Sequence, residues 1–294
     1  MSTLLQPQSA DTRLTIVSGS AVFEENPVRS LLSDKSLLRY PGGKTRAVDI
    51  ITRHFPKGIK EMCSPFLGGA SIELCVAASG VKVQGYDIFR PLVEFWQCAV
   101  KTPCQLSDVV RHYYPLQKEA FYKLQHTQTK FKTKMDRAGV FYVLNRSSFS
   151  GSTLSGGMSP DHPRFTESSI ERLRHFYNPN LIVNRADFKE SITSHKDIFT
   201  YLDPPYLIAN TLYGKKGDTH KDFDHVGLAK LLRKRNNWIM SYNDCKEIRE
   251  LYAGHTIITP EWKYGMSANK TSKEVLIFSR DITPDLNTDA IRNR

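Results

Sequence analysis

The motif Asp203-Pro204-Pro205-Tyr206 offers the groups that are needed to hold an exocyclic amino group for methylation. The Asp203 carboxylate and the Pro204 carbonyl can each accept one N–H of an amino group. Pro205 stiffens the turn because its ring fixes φ. Tyr206 supplies a flat face for a base that has been taken out of its stack. The same four residues also fit a plain Pro-Pro turn that ends at a core tyrosine, so the motif does not decide alone.

Composition limits the class of protein. The 294 residues carry 41 Lys+Arg against 30 Asp+Glu, and the formal charge of +11 suits a polyanionic partner such as nucleic acid. No C-x-x-C pattern occurs, so neither a disulfide framework nor a zinc site is expected, and a reducing, cytoplasmic setting fits best. The N-terminus shows no leader pattern, and no run of about 18 apolar residues occurs, which predicts neither export nor a membrane span. The five cysteines are Cys63, Cys75, Cys98, Cys104 and Cys245.

The arrangement of predicted elements is that of an α/β protein. An apolar stretch ends at residues 65–66, and a glycine turn, a helix and a strand that delivers Asp87 follow it. This order is the opening of a doubly wound, nucleotide-binding sheet. The first two predicted strands are the apolar stretch that ends at 65–66 and the strand at 81–86. The further predicted strands are 180–184, 198–202, 237–241, 256–259 and 274–279. The predicted helices are 44–55, 71–78, 119–126, 134–144, 167–176, 224–235 and 245–252.

Between residues 101 and 179 the alternation of strands and helices stops. This stretch combines helical patterns, a Ser/Gly-rich loop at 147–159 and several basic residues, so we interpret it as an inserted module that contacts DNA. Helical lysines are as often only a solvated face. The predicted organisation is an N-terminal arm (1–35), a catalytic domain (36–100 and 180–281), the inserted DNA target-recognition domain (101–179) and a C-terminal tail (282–294).

A cofactor of nucleoside type is also predicted. Asp87 ends the second predicted strand, where an acid commonly accepts both hydroxyls of a ribose. The small residues of the turn at 64–70 let the backbone approach a ligand, and the helix behind it favours a carboxylate. Neither G-x-G-x-x-G nor a P-loop occurs, so phosphate binding is poorly supported. S-adenosylmethionine fits better, with a carboxylate tail for the glycine amides and Lys44 to meet.

Taken together, these residues resemble the DNA adenine-N6 methyltransferases of the Dam-like group. Arg-Tyr-Pro-Gly-Gly-Lys at 39–44 resembles the family's N-terminal cofactor motif, and residues 64–71 resemble its Pro-Phe-x-Gly-x-Gly-Ser turn. Asp87 falls on the ribose-binding acid. The pair at 187–188 resembles the Asp-Phe pair that meets the adenine amino group of the cofactor, and residues 203–206 are the catalytic signature. The order of the motifs, with the recognition region between the ribose acid and the Asp-Phe pair, is also that of the family.

The resemblance implies a doubly wound, seven-stranded, Rossmann-like methyltransferase sheet with an inserted, mainly helical target-recognition domain. It also implies methyl transfer from S-adenosylmethionine to N6 of an adenine in double-stranded DNA, through base flipping and without a metal, in a restriction-modification system whose endonuclease acts separately. The expected catalytic residues are Asp203, Pro204, Pro205 and Tyr206. The expected cofactor-binding residues are Tyr40, Pro41, Gly42, Gly43, Lys44, Pro65, Phe66, Gly68, Gly69, Asp87, Asp187 and Phe188. The expected DNA-binding residues are Lys130, Lys132, Lys134, Asn145, Arg146, Ser148, Phe149, Ser150, Lys215 and Lys216.

The chain departs from the family pattern in two informative places. Ala70 stands where the turn's second glycine is expected, and Ser64 stands where Glu is often found. In the recognition loop, which is residues 145–154 here, members that read GATC tend to have Asn-Arg-x-Gly-aromatic-Asn-Gly-Leu-x-Arg. Here Ser150 and Leu154 occupy the later polar positions. Because arginine to guanine is the commonest specific base contact, its absence predicts a short target other than GATC.

Three alternatives stay open at this point. The N4 atom of cytosine is chemically similar to N6 of adenine, although its methyltransferases more often have Ser in place of Asp203. The chain could also be an inactive, DNA-binding homologue. Finally, Pro103-Cys104-Gln105 mimics the nucleophile tripeptide of cytosine-C5 methyltransferases, but it lies outside any predicted strand end. The residues 241–243 at another strand end either line the base pocket or form a turn.

Overall fold

The computed structural model describes residues 32–40, 42–159, 164–207, 223–260 and 274–285. Within these ranges, one seven-stranded sheet has the order β3-β2-β1-β4-β5-β7-β6. The strands are β1 (Glu61–Ser64), β2 (Lys82–Asp87), β3 (Leu181–Arg185), β4 (Phe199–Leu202), β5 (Trp238–Asn243), β6 (Thr256–Ile258) and β7 (Glu274–Phe278). The predicted α/β, doubly wound, seven-stranded fold is confirmed.

Strands β1 to β5 are parallel, whereas β7 runs antiparallel to both β5 and β6. Every residue of β4 and β7 is buried, which is the pattern of strands that are covered on both faces. The strand order reverses between β1 and β4, because the chain continues from β1 to β2 on one side and from β4 to β5 on the other. The loops that leave the carboxyl ends of β1 and β4 therefore diverge, and the crevice between them is where open α/β sheets bind ligands.

Helices cover the sheet, and most of them match their predicted positions. In chain order the helices within the described ranges are α1 (Val48–Thr52), α2 (Ser71–Ala78), α3 (Arg90–Lys101), α4 (Pro103–Arg111), α5 (Lys118–Thr127), α6 (Lys134–Ser147), α7 (Glu167–Arg174), α8 (Phe188–Ser194), α9 (His225–Leu232) and α10 (Lys246–Leu251). The predicted strands differ from the observed ones by at most two residues at either end. No helix among the described residues is long and apolar enough to span a membrane.

The predicted helix at 44–55 is wrong in its extent, because α1 begins only at Val48. Before it the chain forms turns, in which Gly43 N donates to Tyr40 O (2.9 Å) and Ala47 N donates to Lys44 O (2.8 Å). These turns direct the Lys44 side chain into the crevice of the sheet. An uninterrupted helix would place Lys44 by helical geometry instead.

Helices α4 and α6 pack against α3, while α5 packs on α6 and α7 packs on α4, so these helices do not surround a separate core. Phe95 of α3 stacks on Tyr142 of α6, with ring centroids 5.4 Å apart. Glu94 of α3 accepts hydrogen bonds from Arg137 of α6 at 2.7 and 2.8 Å. The apolar residues of these helices belong to the same cluster as those of β1 to β3. The boundaries 101 and 179 stay a prediction, and the predicted arm and tail fall outside the described residues apart from 32–35 and 282–285.

Candidate functional site

A cavity of about 450 Å³ lies at the carboxyl ends of β1, β2 and β4. Ligand pockets of drug-sized molecules fall in the range of roughly 300–1,000 Å³. The cavity gathers, from distant parts of the chain, every predicted catalytic residue and every predicted cofactor residue except Pro41, which lies outside the described residues. These lining residues are Tyr40, Gly42, Gly43, Lys44, Pro65, Phe66, Gly68, Gly69, Asp87, Asp187, Phe188, Asp203, Pro204, Pro205 and Tyr206.

Asp203 follows β4 directly and is held by two neighbours. Lys44 Nζ donates to both carboxylate oxygens at 2.8 Å, and Ser241 Oγ donates to Oδ1 at 2.9 Å. Ser241 is positioned by Tyr201, whose hydroxyl lies 3.0 Å from Ser241 Oγ. Asp203 is only partly buried, and its carboxylate lines the cavity. The carboxylate is thus fixed in direction and open to a further donor.

Lys44 contacts the catalytic motif. Its ammonium donates to Asp203 and to the Tyr206 hydroxyl oxygen (2.8 Å), and the expected contact with a cofactor carboxylate stays a prediction. It also lies 3.7 Å from Glu274 Oε2 of β7, and its side chain is 3% exposed. Buried charges are retained where they are paired, and Lys44 is paired with the carboxylates around it. Lys44 therefore joins the segment at 39–44, called the cofactor segment, to the turn at 203–206, called the catalytic turn.

Tyr206 lies flat beside a second aromatic ring. The rings of Tyr206 and Tyr242 are 6.1 Å apart and inclined by 25°. Asn243 Oδ1 accepts a hydrogen bond from Leu207 N (3.1 Å), which fixes the chain after the motif. The role of the strand end at 241–243 was left open by the sequence. In the structure its three residues contact the Asp203 carboxylate, the Tyr206 ring and the Leu207 backbone, respectively.

Glu73 is a buried acid that sequence reasoning missed. It lies in the first turn of α2, lines the cavity, and accepts a hydrogen bond from Ser64 Oγ (2.6 Å). Burial raises the pKa of Glu73 to about 7, and the hydrogen bond from Ser64 opposes that rise. The signal available in the sequence was a single acid within an otherwise apolar helix. Ser64 stands where the family often has Glu, and the structure places the Glu73 carboxyl group directly beside it.

At the other end of the cavity, Asp87 closes the end of β2. Its carboxylate accepts hydrogen bonds from Gly68 N (3.2 Å) and Phe89 N (2.9 Å). Burial raises the pKa of Asp87, and these backbone N–H groups counteract the rise. Four lone-pair sites are available on a carboxylate, so two backbone bonds leave acceptor capacity for two ribose hydroxyls.

Three phenylalanine rings form an apolar wall of the same cavity. The centroids of Phe66, Phe188 and Phe223 are 5.3 to 6.0 Å apart. Asp187 caps α8, with its Oδ1 accepting from Lys189 N (2.6 Å) and Glu190 N (3.2 Å). Its second oxygen takes no part in these bonds. A flat aromatic ring with an amino group would fit between this wall and Asp187.

One contact at this wall also escaped the sequence reasoning. Lys189 Nζ lies 2.9 Å from Asp224 Oδ2, and both side chains line the cavity. The pair joins the start of α8 to the residue that caps α9. A weak signal existed, because the order of Phe223-Asp224 is the reverse of Asp187-Phe188, but Lys189 and Asp224 are 35 positions apart in the sequence, which hides their proximity.

The recognition loop splits the DNA-binding prediction. Asn145 is fully buried, and its side-chain amide bonds both Arg39 N (2.9 Å) and Arg39 O (2.8 Å). Ser148 is also buried, with its hydroxyl donating to Asn145 O (3.2 Å). The structure therefore contradicts direct DNA contact by these two side chains, because both are buried and engaged in bonds that hold the loop to the cofactor segment. Phe149 and Ser150, in contrast, are exposed, and Phe149 is 64% exposed.

The remaining predicted DNA-binding residues have different settings. Lys130, Lys132 and Lys134 are exposed. Lys134 donates to Gln97 Oε1 of α3. Arg146 is half-buried and donates to Arg164 O (2.9 Å). Lys215 and Lys216 lie outside the described residues.

Cys104 does not belong to the cavity. It is exposed in the first turn of α4, where its thiol lies 3.6 Å from Arg174 O. The cavity's lining residues do not include it. The cytosine-C5 alternative therefore has no nucleophile beside Asp203.

The chain is similar in sequence to known methyltransferases. The chain is 22% identical over 253 residues to the type II methyltransferase M.CviBI of Paramecium bursaria Chlorella virus NC1A, which covers 82% of this chain and 96% of that protein. It is 23% identical over 282 residues to a DNA adenine methylase of Vibrio cholerae serotype O1, covering 87% and 99%. It is 27% identical over 232 residues to the type II methyltransferase M.MjaIII of Methanocaldococcus jannaschii, covering 68% and 80%.

A solved structure is also similar. The rRNA methyltransferase AviRa from Streptomyces viridochromogenes matches with a TM-score of 0.38 and 11% identity, covering 86% of this chain and 92% of that one. The strand order of the sheet, rather than this similarity, defines the fold. A family model, that of the D12 class N6 adenine-specific DNA methyltransferases, matches residues 40–266. This span includes both Lys44 and the turn at 203–206. The chain belongs to the D12 class of N6 adenine-specific DNA methyltransferases.

Proposed function

We propose that the protein transfers a methyl group from S-adenosylmethionine to N6 of an adenine that has been flipped out of double-stranded DNA. The observation that carries this proposal is the direction of Asp203, whose carboxylate is fixed by Lys44 and Ser241 and faces the cavity. An amino group beside it would donate one N–H to Asp203 and the other to the Pro204 carbonyl. Tyr206 offers the ring against which the extruded base stacks.

Positioning supplies most of the catalysis in this proposal. Two acceptors that hold both amino hydrogens draw the nitrogen lone pair out of conjugation with the purine ring. The lone pair then points at the methyl group for in-line displacement, with the reacting atoms held near each other. The nitrogen becomes acidic only as it gains the methyl group, so the proton can leave without a strong base.

The remainder of the cavity suits S-adenosylmethionine. Asp87 has acceptor capacity for the ribose hydroxyls, and the wall of Phe66, Phe188 and Phe223 suits the adenine ring. The second oxygen of Asp187 is available to the adenine amino group. When bound, S-adenosylmethionine supplies an electrophilic methyl group on a sulfonium. The Gly68 amide already donates to Asp87, so the Gly69 amide of the same turn is the donor we propose for its carboxylate tail.

DNA would approach the face that carries the recognition loop. Phe149 projects from this loop into solvent, and exposed aromatic rings can stack on bases that are left without partners. The exposed Lys130, Lys132 and Lys134 offer charge for the backbone. The short target is a sequence other than GATC, since Leu154 stands at the position of the guanine-reading arginine.

The biological setting of the enzyme is proposed from its relatives and its cysteines. Two relatives are named type II methyltransferases, which supports a restriction-modification role with a separate endonuclease. All five cysteines are free thiols, which supports a reducing cytoplasmic compartment.

The test is incubation with labelled S-adenosylmethionine and duplex DNA, followed by mapping of the methylated bases. We expect N6-methyladenine within one short sequence. Asp203→Asn keeps the shape but cannot accept equally at both side-chain positions, so methyl transfer should fall by orders of magnitude while binding of DNA and cofactor persists. Methylated N4 of cytosine, or unchanged transfer by Asp203→Asn, would overturn the proposal.

Tyr206 provides a matched pair of variants. Tyr206→Phe keeps the ring and loses the contact of the hydroxyl with Lys44, whereas Tyr206→Ala loses both. Base stacking on an aromatic side chain contributes about 1–3 kcal/mol. We therefore expect Tyr206→Ala to lower kcat/KM far more than Tyr206→Phe does. Equal losses would mean that the hydroxyl, and not stacking, is what matters.

A further inference from the structure

Four arginines from different parts of the chain meet beside the recognition loop. They are Arg39, Arg146, Arg164 and Arg172, which we call the arginine cluster. Three of them are held by backbone carbonyls: Arg39 Nη1 donates to Ser148 O (3.3 Å), Arg146 Nε to Arg164 O (2.9 Å), and Arg172 Nη2 to Ser36 O. These bonds fix the direction of the guanidinium groups and leave further N–H donors on each of them.

Within the described residues, no carboxylate forms an ion pair with any member of the cluster. Arginines close by behave differently. Arg111 pairs with Glu167 at 2.6 Å, and Arg174, on the same helix as Arg172, pairs with Asp108 at 2.6 Å. The acids around α7 are thus paired with Arg111 and Arg174 rather than with a member of the cluster.

In the part of the chain that the structure describes, the positive charges of the cluster act on one another without an acid between them. Burial lowers the pKa of Arg146, and the positive charges of Arg172, Arg39 and Arg164 add to that effect. Burial lowers the pKa of Arg39 in the same way, with Arg164 contributing. Like charges that are gathered together cost free energy, and an anion that binds beside them lowers that cost.

Next to the cluster lies a second cavity of about 380 Å³. Its lining includes Ser36, whose carbonyl holds Arg172, together with Arg39 and the exposed Ser150 of the recognition loop. Thr45 and Ser71 add hydroxyl groups, which lie 3.1 Å from each other. Hydroxyls and guanidinium groups are the side chains that commonly contact phosphate oxygens.

We infer that the arginine cluster binds the phosphodiester backbone of the substrate DNA beside the recognition loop. Arg164 and Arg172 are exposed and make the contacts, whereas the half-buried Arg39 and Arg146 raise the local positive potential beneath them. Guanidinium groups bind phosphate oxygens in bidentate geometry, and such contacts set the position of a protein on DNA. This inference rests on the proposed function, because it places the same DNA that enters the main cavity.

The test measures binding of a fluorescent duplex at several salt concentrations by anisotropy, without cofactor. Each phosphate contact contributes about 0.9 to the slope of log K against log salt. We expect Arg164→Gln and Arg172→Gln each to lower the slope by about 0.9 and to weaken binding several-fold at low salt, and the double variant to lower the slope by about 1.8. With saturating DNA, kcat should stay near the wild-type value while KM for DNA rises.

Arg233→Gln is the matched control. Arg233 is also exposed and donates to a carbonyl, Leu251 O at 2.7 Å, but it follows α9 on the part of the sheet that holds the other core cluster. It should leave the slope unchanged. Arg172→Lys keeps the charge and should recover most of the slope, which loss of folding would not allow.

The outcomes separate the inference from the proposed function. A wild-type slope in Arg164→Gln and Arg172→Gln, with methylation intact, would overturn the inference alone. If the wild-type protein does not methylate adenine but Arg164→Gln and Arg172→Gln still lower the salt slope as expected, the proposed function would be overturned and the inferred phosphate contact would stand. An equal slope loss in Arg233→Gln would reduce the cluster to general surface charge and would also overturn the inference.

Discussion

Gly151 holds the recognition loop against the segment that leads to Lys44, and Gly151→Ala tests this contact. Gly151 has φ of +74°, and an added Cβ would lie 2.0 Å from Arg39 O. Arg39 is also the residue whose N–H and carbonyl are bonded by the buried Asn145. The added methyl group cannot fit unless the loop and the segment move apart.

The cost can be worked out from two contributions. A left-handed conformation costs a residue other than glycine about 1–2 kcal/mol. The clash adds to this, because separating the backbones stretches the two Asn145 bonds to Arg39, each worth about 1 kcal/mol. We therefore expect Gly151→Ala to lower the free energy of unfolding by roughly 3–4 kcal/mol.

Gly58 is the control that isolates the clash. It has φ of +75°, almost the same as Gly151, and a Cβ there would meet nothing within 4 Å. Gly58→Ala should therefore cost only the backbone contribution of about 1–2 kcal/mol. Urea unfolding monitored by circular dichroism gives both free energies, provided that the slope with denaturant is unchanged.

Activity gives a second, independent readout. Because the segment at 39–44 carries Lys44 and the loop carries Phe149, separating them should misplace both the catalytic turn and the DNA-binding face. We expect Gly151→Ala to lower kcat/KM for DNA methylation at least tenfold at a temperature where it stays folded, and Gly58→Ala to leave it unchanged. Equal destabilisation of the two variants, or wild-type kcat/KM for Gly151→Ala, would refute this reasoning.

Three further predictions concern single side chains. Burial raises the pKa of Glu73 from 4.5 to about 7, so folded Glu73 stays protonated where the unfolded chain ionises. Stability should therefore fall as pH rises from about 4.5 to 7, by up to about 3 kcal/mol, and Glu73→Gln should flatten this dependence in urea unfolding across that pH range. Ala70 adopts φ of +55° at the start of α2, so Ala70→Gly should raise stability by about 0.5–1 kcal/mol, seen as a higher urea midpoint. Cys104→Ser should leave methyl transfer unchanged, since the thiol lies outside the cavity, and loss of activity in that variant would bring a thiolate mechanism back.

The catalytic and cofactor motifs could be predicted because each is contiguous and its chemistry is local. Asp203 to Tyr206 carry their acceptors and their ring within four positions, and Asp87 ends a strand that is visible in the sequence. Burial is not local in this sense. Asn145 is of a residue type that commonly reads bases. Its side chain, however, is bonded to Arg39, 106 positions earlier, and the sequence alone does not show that pairing.

The same reason explains what else was missed. The apolar residues of 44–55 do have helical spacing. Lys44, however, bonds to Asp203, 159 positions away, and the residues before Val48 form turns instead of a helix. Glu73 and Ser241 carry no motif, and only the fold brings them to the catalytic turn. The arginine cluster is similarly invisible in a sequence in which basic residues are common throughout.

The charges around Lys44 are compatible with the positively charged methyl donor of the proposed reaction. A single buried ammonium faces Asp203 at 2.8 Å and Glu274 at 3.7 Å, so the acids exceed the base at this point of the cavity. An ammonium without such partners would repel a positively charged methyl donor, whereas paired acids cancel that repulsion. Glu73, with a pKa of about 7, keeps the excess small near neutral pH. Under the proposed function, the same ammonium would direct the Asp203 acceptor toward the target base and keep the local charge compatible with the methyl donor.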